Sequence, residues 1–266
     1  MKHNILKVKT MKKVNIFFGT ISLVSLAVQA QTYNTKPNIV FILADDMGWK
    51  DLGCYGNKFN ETPFIDSLAK SGVKFTQAYS SSPVSSPSRA AILTGKHSAA
   101  LQLTNYLGGN NIDEKSTVLP AKWKPYLEPN EITLAEILKS EGYSTAMVGK
   151  WHLGHDKGMN PWEQGFDFTR MIGKNGLDYY NYSILTDSFK LEFTDNGTNY
   201  LTDKLTGYGL EFIENNSSNP FFLYMAYSAP HVFLVPKAGT ESKYMKKYSG
   251  NKSEYQNPYY AAMVNT

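Results

Sequence analysis

The chain has 266 residues, 42% of them apolar and 19% charged, which is the composition of an ordinary globular protein able to bury a substantial core. Its formal charge of +4 falls to about −1 when Lys2, Lys7, Lys9, Lys12 and Lys13 are set aside, all of them in a stretch before Ala30 that has no acidic residue. No basic stripe remains to neutralise phosphates, which excludes nucleic acid as a partner, and the single cysteine, Cys54, excludes an intramolecular disulfide.

In chain order, those lysines are followed by the apolar run Val14 to Val28 and by small residues at Val28 and Ala30, the layout of a secretory signal cleaved after residue 30. Met11 serves equally well as its start. Asn15, Gly19, Thr20, Ser22 and Ser25 interrupt a run already short for a bilayer, so no membrane span is expected once the signal is removed. Cys54 does not sit at the end of the signal, where a lipid anchor would be. The expected location is the bacterial periplasm or outside the cell.

Asn38 to Ala44 is a continuous apolar, β-branched run, the pattern of a strand buried on both faces, and it ends abruptly in Asp45 and Asp46. Thr62 as N-cap, Pro63 at the first helical position and Gly72 as the stop bound a helix. Thr133 and Glu136 form a capping box for a helix closing near Gly142, after which Tyr143 to Val148 reads as a strand. Tyr200 to Asn215 is helical, and Phe221 to Tyr227 is a second buried strand. A last helix begins after Pro258 and stops in mid-pattern, so residues 31–266 read as the N-terminal portion of a longer catalytic domain.

Alternating strands and helices predict an α/β fold, a mostly parallel sheet flanked by helices on both faces. In such sheets the ligand site lies beyond the carboxyl ends of the strands. Asp45 and Asp46, then Lys150 and His152, then His231 each follow a strand directly, so three separate stretches point to one place.

The sharpest motif is Pro83 to Gly95, PVSSPSRAAILTG. Ser85 lies just before a helix expected to begin near Pro87, among free backbone N–H groups at the positive end of the helix dipole. Arg89, one turn on, is placed to swing back and hold a nucleophile or a charged oxygen.

Ser85, Pro87 and Arg89, with the tail Ile92, Leu93, Thr94 and Gly95, resemble the signature of the type I sulfatases, in which Cys or Ser is followed by x-Pro-x-Arg. The stretches NIVFILADDMGWKDLGCYGN and GKWHLG, and the pair Pro230 and His231, are similar to the same family, and the resemblance spans about Lys36 to Thr266. It implies a fold of the alkaline-phosphatase-like type and hydrolysis of a sulfate ester, on a carbohydrate or an aryl group. It also implies that Ser85 is converted to formylglycine by an anaerobic-type, radical S-adenosylmethionine maturase.

By the same resemblance, the hydrated aldehyde has two hydroxyls on one carbon, one to take the sulfate and one to expel it. Asp45 and Asp46, with the modified Ser85, would bind a divalent metal, expected to be Ca2+, whose hard character suits carboxylate oxygen. Lys150 is implied as a contact to sulfate and nucleophile, His152 as the base that triggers sulfate release, and His231 as a sulfate contact and acid on the leaving alcohol.

Phe64 departs from the Asn common in the family, and Leu101 to Pro129 is idiosyncratic. Asp195, Asn196 and Gly197 imitate a further metal pair of the family but precede the His231 strand instead of following it, and Asp-Asn-Gly is a common turn sequence. His97 and His155 flank the motifs and read as structural or rim residues, while aromatic residues between Trp162 and Tyr182 are candidates for sugar subsites or packing. Two other readings stay open: a phosphatase or phosphodiesterase of the wider superfamily acting through an unmodified hydroxyl, and a catalytically silent binder of sulfated glycans.

Overall fold

The computed structural model describes residues 36–109, 117–118, 121–173, 178–250 and 256–266. The signal-peptide reading of residues 1–30 lies outside the described residues. Among those described, no helix is long and apolar enough to cross a membrane.

The strands are β1 (Ile39–Leu43), β2 (Ser144–Gly149), β3 (Phe168–Ile172), β4 (Ser183–Leu185), β5 (Leu191–Thr194) and β6 (Phe221–Ala226). They form one sheet in the order β1-β6-β2-β3-β4-β5. The first four positions are parallel, while β4 and β5 return antiparallel at the far edge. In β1, β6 and β2, Leu43, Ala226 and Gly149 lie side by side, so three chains leave the sheet at one level.

The helices are α1 (Pro63–Ser71), α2 (Ser85–Thr94), α3 (Leu134–Ser140), α4 (Leu201–Asn215), α5 (Glu241–Lys247) and α6 (Pro258–Val264). Strand period divides the side chains between two cores. Ala146, Val148, Leu223 and Met225 face Leu201, Leu205, Tyr208 and Phe212 of α4. Met147, Phe222 and Tyr224 face the other way, onto Ala90 and Leu93 of α2 and Ala135 of α3. Each fully buried large side chain contributes about 1.5–3 kcal/mol.

One expectation fails here. β1 is an edge strand and is not buried on both faces: Val40 and Ile42 are 46% and 63% exposed. Ile39, Phe41 and Leu43 pack into the α2 and α3 core, whereas among the described residues α4 lies over β2, β3 and β6 and Val40 and Ile42 stay exposed.

Local signals otherwise act as expected, with two adjustments. The Thr133 capping box closes as read, Thr133 Oγ1 accepting from Glu136 N at 3.2 Å and Glu136 Oε2 from Thr133 N at 2.8 Å. Thr62 precedes α1, but its hydroxyl accepts from Gly53 N at 2.9 Å and donates to Asp66 Oδ1 at 3.0 Å, tying a loop down instead of capping. Helix α2 starts at Ser85 and not near Pro87, because proline's fixed φ and missing N–H fit any position of a first turn.

Gly149 has to be glycine. Its φ is +116°, and a Cβ there would meet the Ala226 carbonyl oxygen at 2.0 Å. That close approach of β2 to β6 sets where the next residue, Lys150, leaves the sheet, and its N–H is fixed on Ala226 O at 2.8 Å.

Candidate active site

The three strand ends do bring their polar residues together. Asp45, 4% exposed, follows β1 with its N–H on Ala229 O at 3.1 Å, which joins it to the turn after β6. Asp45 Oδ1 accepts from Ser85 Oγ at 3.3 Å and faces Arg89 Nη2 at 3.1 Å, and Asp45 Oδ2 pairs with the ammonium of Lys150. Arg89, 1% exposed, donates Nε–H to Ser85 Oγ at 2.9 Å and Nη1–H to Lys150 O at 2.7 Å. Nε and Nη1 are therefore committed, to Ser85 and to the Lys150 carbonyl, while Nη2 faces Asp45 as an ion pair without a hydrogen bond of its own.

His152 Nδ1 lies 3.4 Å from Ser85 Oγ, and Nε2 lies 3.2 Å from Leu107 O. A carbonyl oxygen only accepts, so Nε2 carries the hydrogen and Nδ1 turns its lone pair toward the Ser85 hydroxyl, whose single hydrogen lies between two acceptors, Nδ1 and Asp45 Oδ1. His231 Nδ1 donates to Val232 O at 2.6 Å, leaving Nε2 at 3.3 Å from Asp46 Oδ2. Asp46 and His152 both have left-handed backbone, φ 62° and 61°, an uncommon state that concentrates at functional sites.

Two cations surround one buried carboxylate, and this sets the protonation states. Burial works to raise the Asp45 pKa, but the Arg89 and Lys150 charges together hold it below the ordinary value. Burial pushes Lys150 down. Burial and then the Lys150 charge push His152 down to about 4, so its imidazole is neutral near pH 7 and able to take a proton.

Asp45, Asp46, Ser85 and Arg89 line a cavity of about 620 Å³ walled further by residues 79–84. Two carboxylates and a hydroxyl at one cavity are hard oxygen donors of the kind a divalent cation such as Ca2+ takes. They are three of the six to eight such a cation takes, and among the described residues no group of three His, Cys, Asp or Glu completes the set. The donor chemistry fits a hard cation, with Asp45, Asp46 and Ser85 as the residues that would hold it.

Other sequence candidates resolve as follows. Asp195 accepts from the backbone N–H groups of Gly197, Thr198 and Asn199 and from the side chains of Thr198 and Asn199, all within 3.1 Å. These bonds hold its pKa far below the ordinary value although burial acts to raise it, and they spend its oxygens on a turn before α4. His97 Nδ1 accepts from Ala99 N at 3.2 Å within its own turn, and His155 is exposed. Trp162 packs edge-on against Phe189 with ring centres 5.1 Å apart, and Phe166, Tyr179 and Tyr182 are core residues.

Sequence reasoning missed three contributors. Tyr179 donates its hydroxyl to Ser228 O at 3.0 Å and His231 O at 2.9 Å, bracing the turn that carries His231. Tyr260 of α6 donates to Asp51 Oδ2 at 2.6 Å, and that oxygen also accepts from Gly48 N at 2.7 Å, steadying the segment after Asp46. Leu107, in the stretch read as idiosyncratic, orients His152. None announces itself in sequence, because each acts through a backbone carbonyl or a lone hydroxyl.

A family model described as Sulfatase matches residues 37–266. The chain is 36% identical over 212 residues to N-acetylgalactosamine-6-sulfatase of Rattus norvegicus, covering 73% of this chain and 40% of that protein. It is 34% identical over 238 residues to an arylsulfatase of Hemicentrotus pulcherrimus, covering 80% and 41%. Its structure is similar to Ps i-CgsB in complex with k-i-k-neocarrahexaose, with TM-score 0.71, 29% identity, and coverage of 86% of this chain and 52% of that one.

It is also similar to BT4656 in complex with its substrate D-glucosamine-2-N,6-O-disulfate, with TM-score 0.66, 30% identity, and coverage of 80% and 38%. The chain thus spans about two fifths of the length of these curated relatives. A match over nearly all described residues, on a mostly parallel sheet whose strand ends gather Ser85, Arg89, Asp45, Lys150 and His152, has one reading: this chain belongs to the sulfatase family.

Proposed function

We propose that this chain carries the nucleophile end of a sulfuric ester hydrolase, exported to the periplasm or beyond, that removes sulfate from a sulfated carbohydrate. The observation that carries the reading is the seating of Ser85 Oγ: Arg89 Nε at 2.9 Å, Asp45 Oδ1 at 3.3 Å and His152 Nδ1 at 3.4 Å converge on that one atom. A side chain held by a cation, a carboxylate and a neutral base at the start of a helix is placed to attack an anionic ester. The relatives named for N-acetylgalactosamine-6-sulfate and for a disulfated glucosamine support a sugar sulfate as substrate.

Ser85 works as formylglycine in this proposal, because a plain serine sulfate ester is stable and would stall the enzyme after one turnover. Its formation removes two hydrogens from Cβ and Oγ, a two-electron oxidation carried out by a radical S-adenosylmethionine maturase. The hydrated aldehyde supplies a nucleophile that can expel sulfate by C–O cleavage and return to the carbonyl.

A bound divalent cation would supply charge to lower the pKa of that hydrate and to neutralise sulfate oxygen, with Asp45 and Asp46 as its carboxylate ligands. The remaining duties fall to the chain. His152 Nδ1 takes a proton from the residue at 85, a task typically worth ~10²–10⁴ in rate. Lys150 places its ammonium beside Asp45, and His231, when it carries a second proton on Nε2 beside the Asp46 carboxylate, delivers that proton to the leaving alcohol and keeps Nδ1–H on Val232 O.

Mass spectrometry of peptides from protein made in a host with an anaerobic-type maturase tests the reading. A loss of about 2 Da confined to the Ser85 peptide is expected, together with turnover of an aryl sulfate by the full-length enzyme. An unchanged mass favours a silent glycan binder, and turnover of an aryl phosphate instead points to a phosphatase.

A further inference from the structure

The geometry points to Ser86 as a positioning residue that sets, through Leu107, the tautomer in which His152 meets the nucleophile. Ser86 is fully buried, and its Oγ accepts the backbone N–H of Leu107 at 3.1 Å. The carbonyl of the same Leu107 lies 3.2 Å from His152 Nε2. Both backbone groups of Leu107 are thus committed, one to the residue after the nucleophile and the other to the base. Leu101 and Leu103 are buried and anchor the segment from the other side.

The arrangement decides which ring nitrogen faces Ser85. A carbonyl at Nε2 forces the hydrogen there and leaves the Nδ1 lone pair on the serine oxygen at 3.4 Å. In the other tautomer Nδ1–H would point a donor at the same oxygen, and the imidazole could not take a proton from it. Ser85 and Ser86 are consecutive on α2, so one helix start positions both the nucleophile and the acceptor that orients its base. The inference rests on the reading of Ser85 as nucleophile and His152 as base.

Two measurements on the full-length protein test it, each after the mass of the Ser85 peptide has confirmed equal maturation. The first is nitrogen-15 NMR of the His152 ring, which distinguishes Nε2–H from Nδ1–H whether or not the enzyme turns over. The second is steady-state kinetics on an aryl sulfate. In Ser86→Ala, a mixture of tautomers and a kcat about tenfold lower at near-constant KM are expected, the size of one lost hydrogen bond. Ser86→Thr should restore both.

If Ser86→Ala does not fold, Ser86→Cys keeps the volume with a poor acceptor and carries the same comparison. A wild-type tautomer and kcat in the folded variant overturn the role of Ser86. A wild-type protein inactive on sulfate esters but showing Nε2–H lost on substitution overturns the sulfatase reading and leaves this one standing.

Discussion

Arg89 lies one turn along α2 from Ser85 and reaches back to it, Nε to Oγ at 2.9 Å, while Nη2 faces Asp45 at 3.1 Å and Nη1 bonds the Lys150 carbonyl at 2.7 Å. One guanidinium therefore joins a helix and two strand ends. Its removal leaves the nearly inaccessible Asp45 carboxylate with one partner fewer, so Arg89→Ala should destabilise the fold by about 3–5 kcal/mol. Urea unfolding measures this, and a loss under ~1 kcal/mol would show that the buried pair is not structural.

Tyr179→Phe keeps the ring and deletes a hydroxyl that serves two carbonyls, Ser228 and His231. The expected cost is about 1–3 kcal/mol in stability. Because the turn it braces carries His231, kcat should fall further than KM changes. Equal activity in the variant would detach this tyrosine from catalysis.

His152 gives the protein an acid-sensitive window. Its pKa in the fold is about 4 against an ordinary 6.5, so between those values the unfolded chain binds a proton that the folded one refuses. The contribution is complete above the ordinary value and is lost as pH falls through the folded one, by at most about 3 kcal/mol. The Asp45 shift acts at lower pH and that of Lys150 at alkaline pH. Unfolding free energies at about pH 4.5 and 7 should thus differ less in His152→Asn, where asparagine tolerates the left-handed backbone.

Calcium should raise the melting temperature, since a ligand that binds only the folded state stabilises by about 2.7 kcal/mol at a hundredfold excess over Kd. Asp46→Asn, which removes a charge and suits the positive φ of that position, should shrink the shift in differential scanning fluorimetry. A wild-type melting curve indifferent to calcium and to chelator would count against a cation held by Asp45 and Asp46.

What could be read from sequence was whatever depends on spacing within one stretch. The four-residue step from Ser85 to Arg89 places both on one helical face, and polar residues after apolar runs mark strand ends. What escaped depends on distant partners. The run at β1 reads as doubly buried because apolar content does not tell which strand is an edge, and α4 covers its neighbours but not Val40 and Ile42.

Strands β4 and β5 have three and four residues, too few to establish a period, so the antiparallel return was not foreseen. The contributions of Leu107, Tyr179 and Tyr260 come from a carbonyl and two hydroxyls across separations of 45, 52 and 209 residues. No local pattern encodes such reach.

The bare flank of β1 has a practical side. Among the described residues no strand pairs with the outer rim of β1, and such a rim, with Val40 and Ile42 exposed on the adjoining face, is a template on which a second molecule can lay its own strand. Concentrated solutions of this chain should cloud by that route, and a lysine in place of Ile42, standing clear of both cores, is the substitution that would keep them transparent.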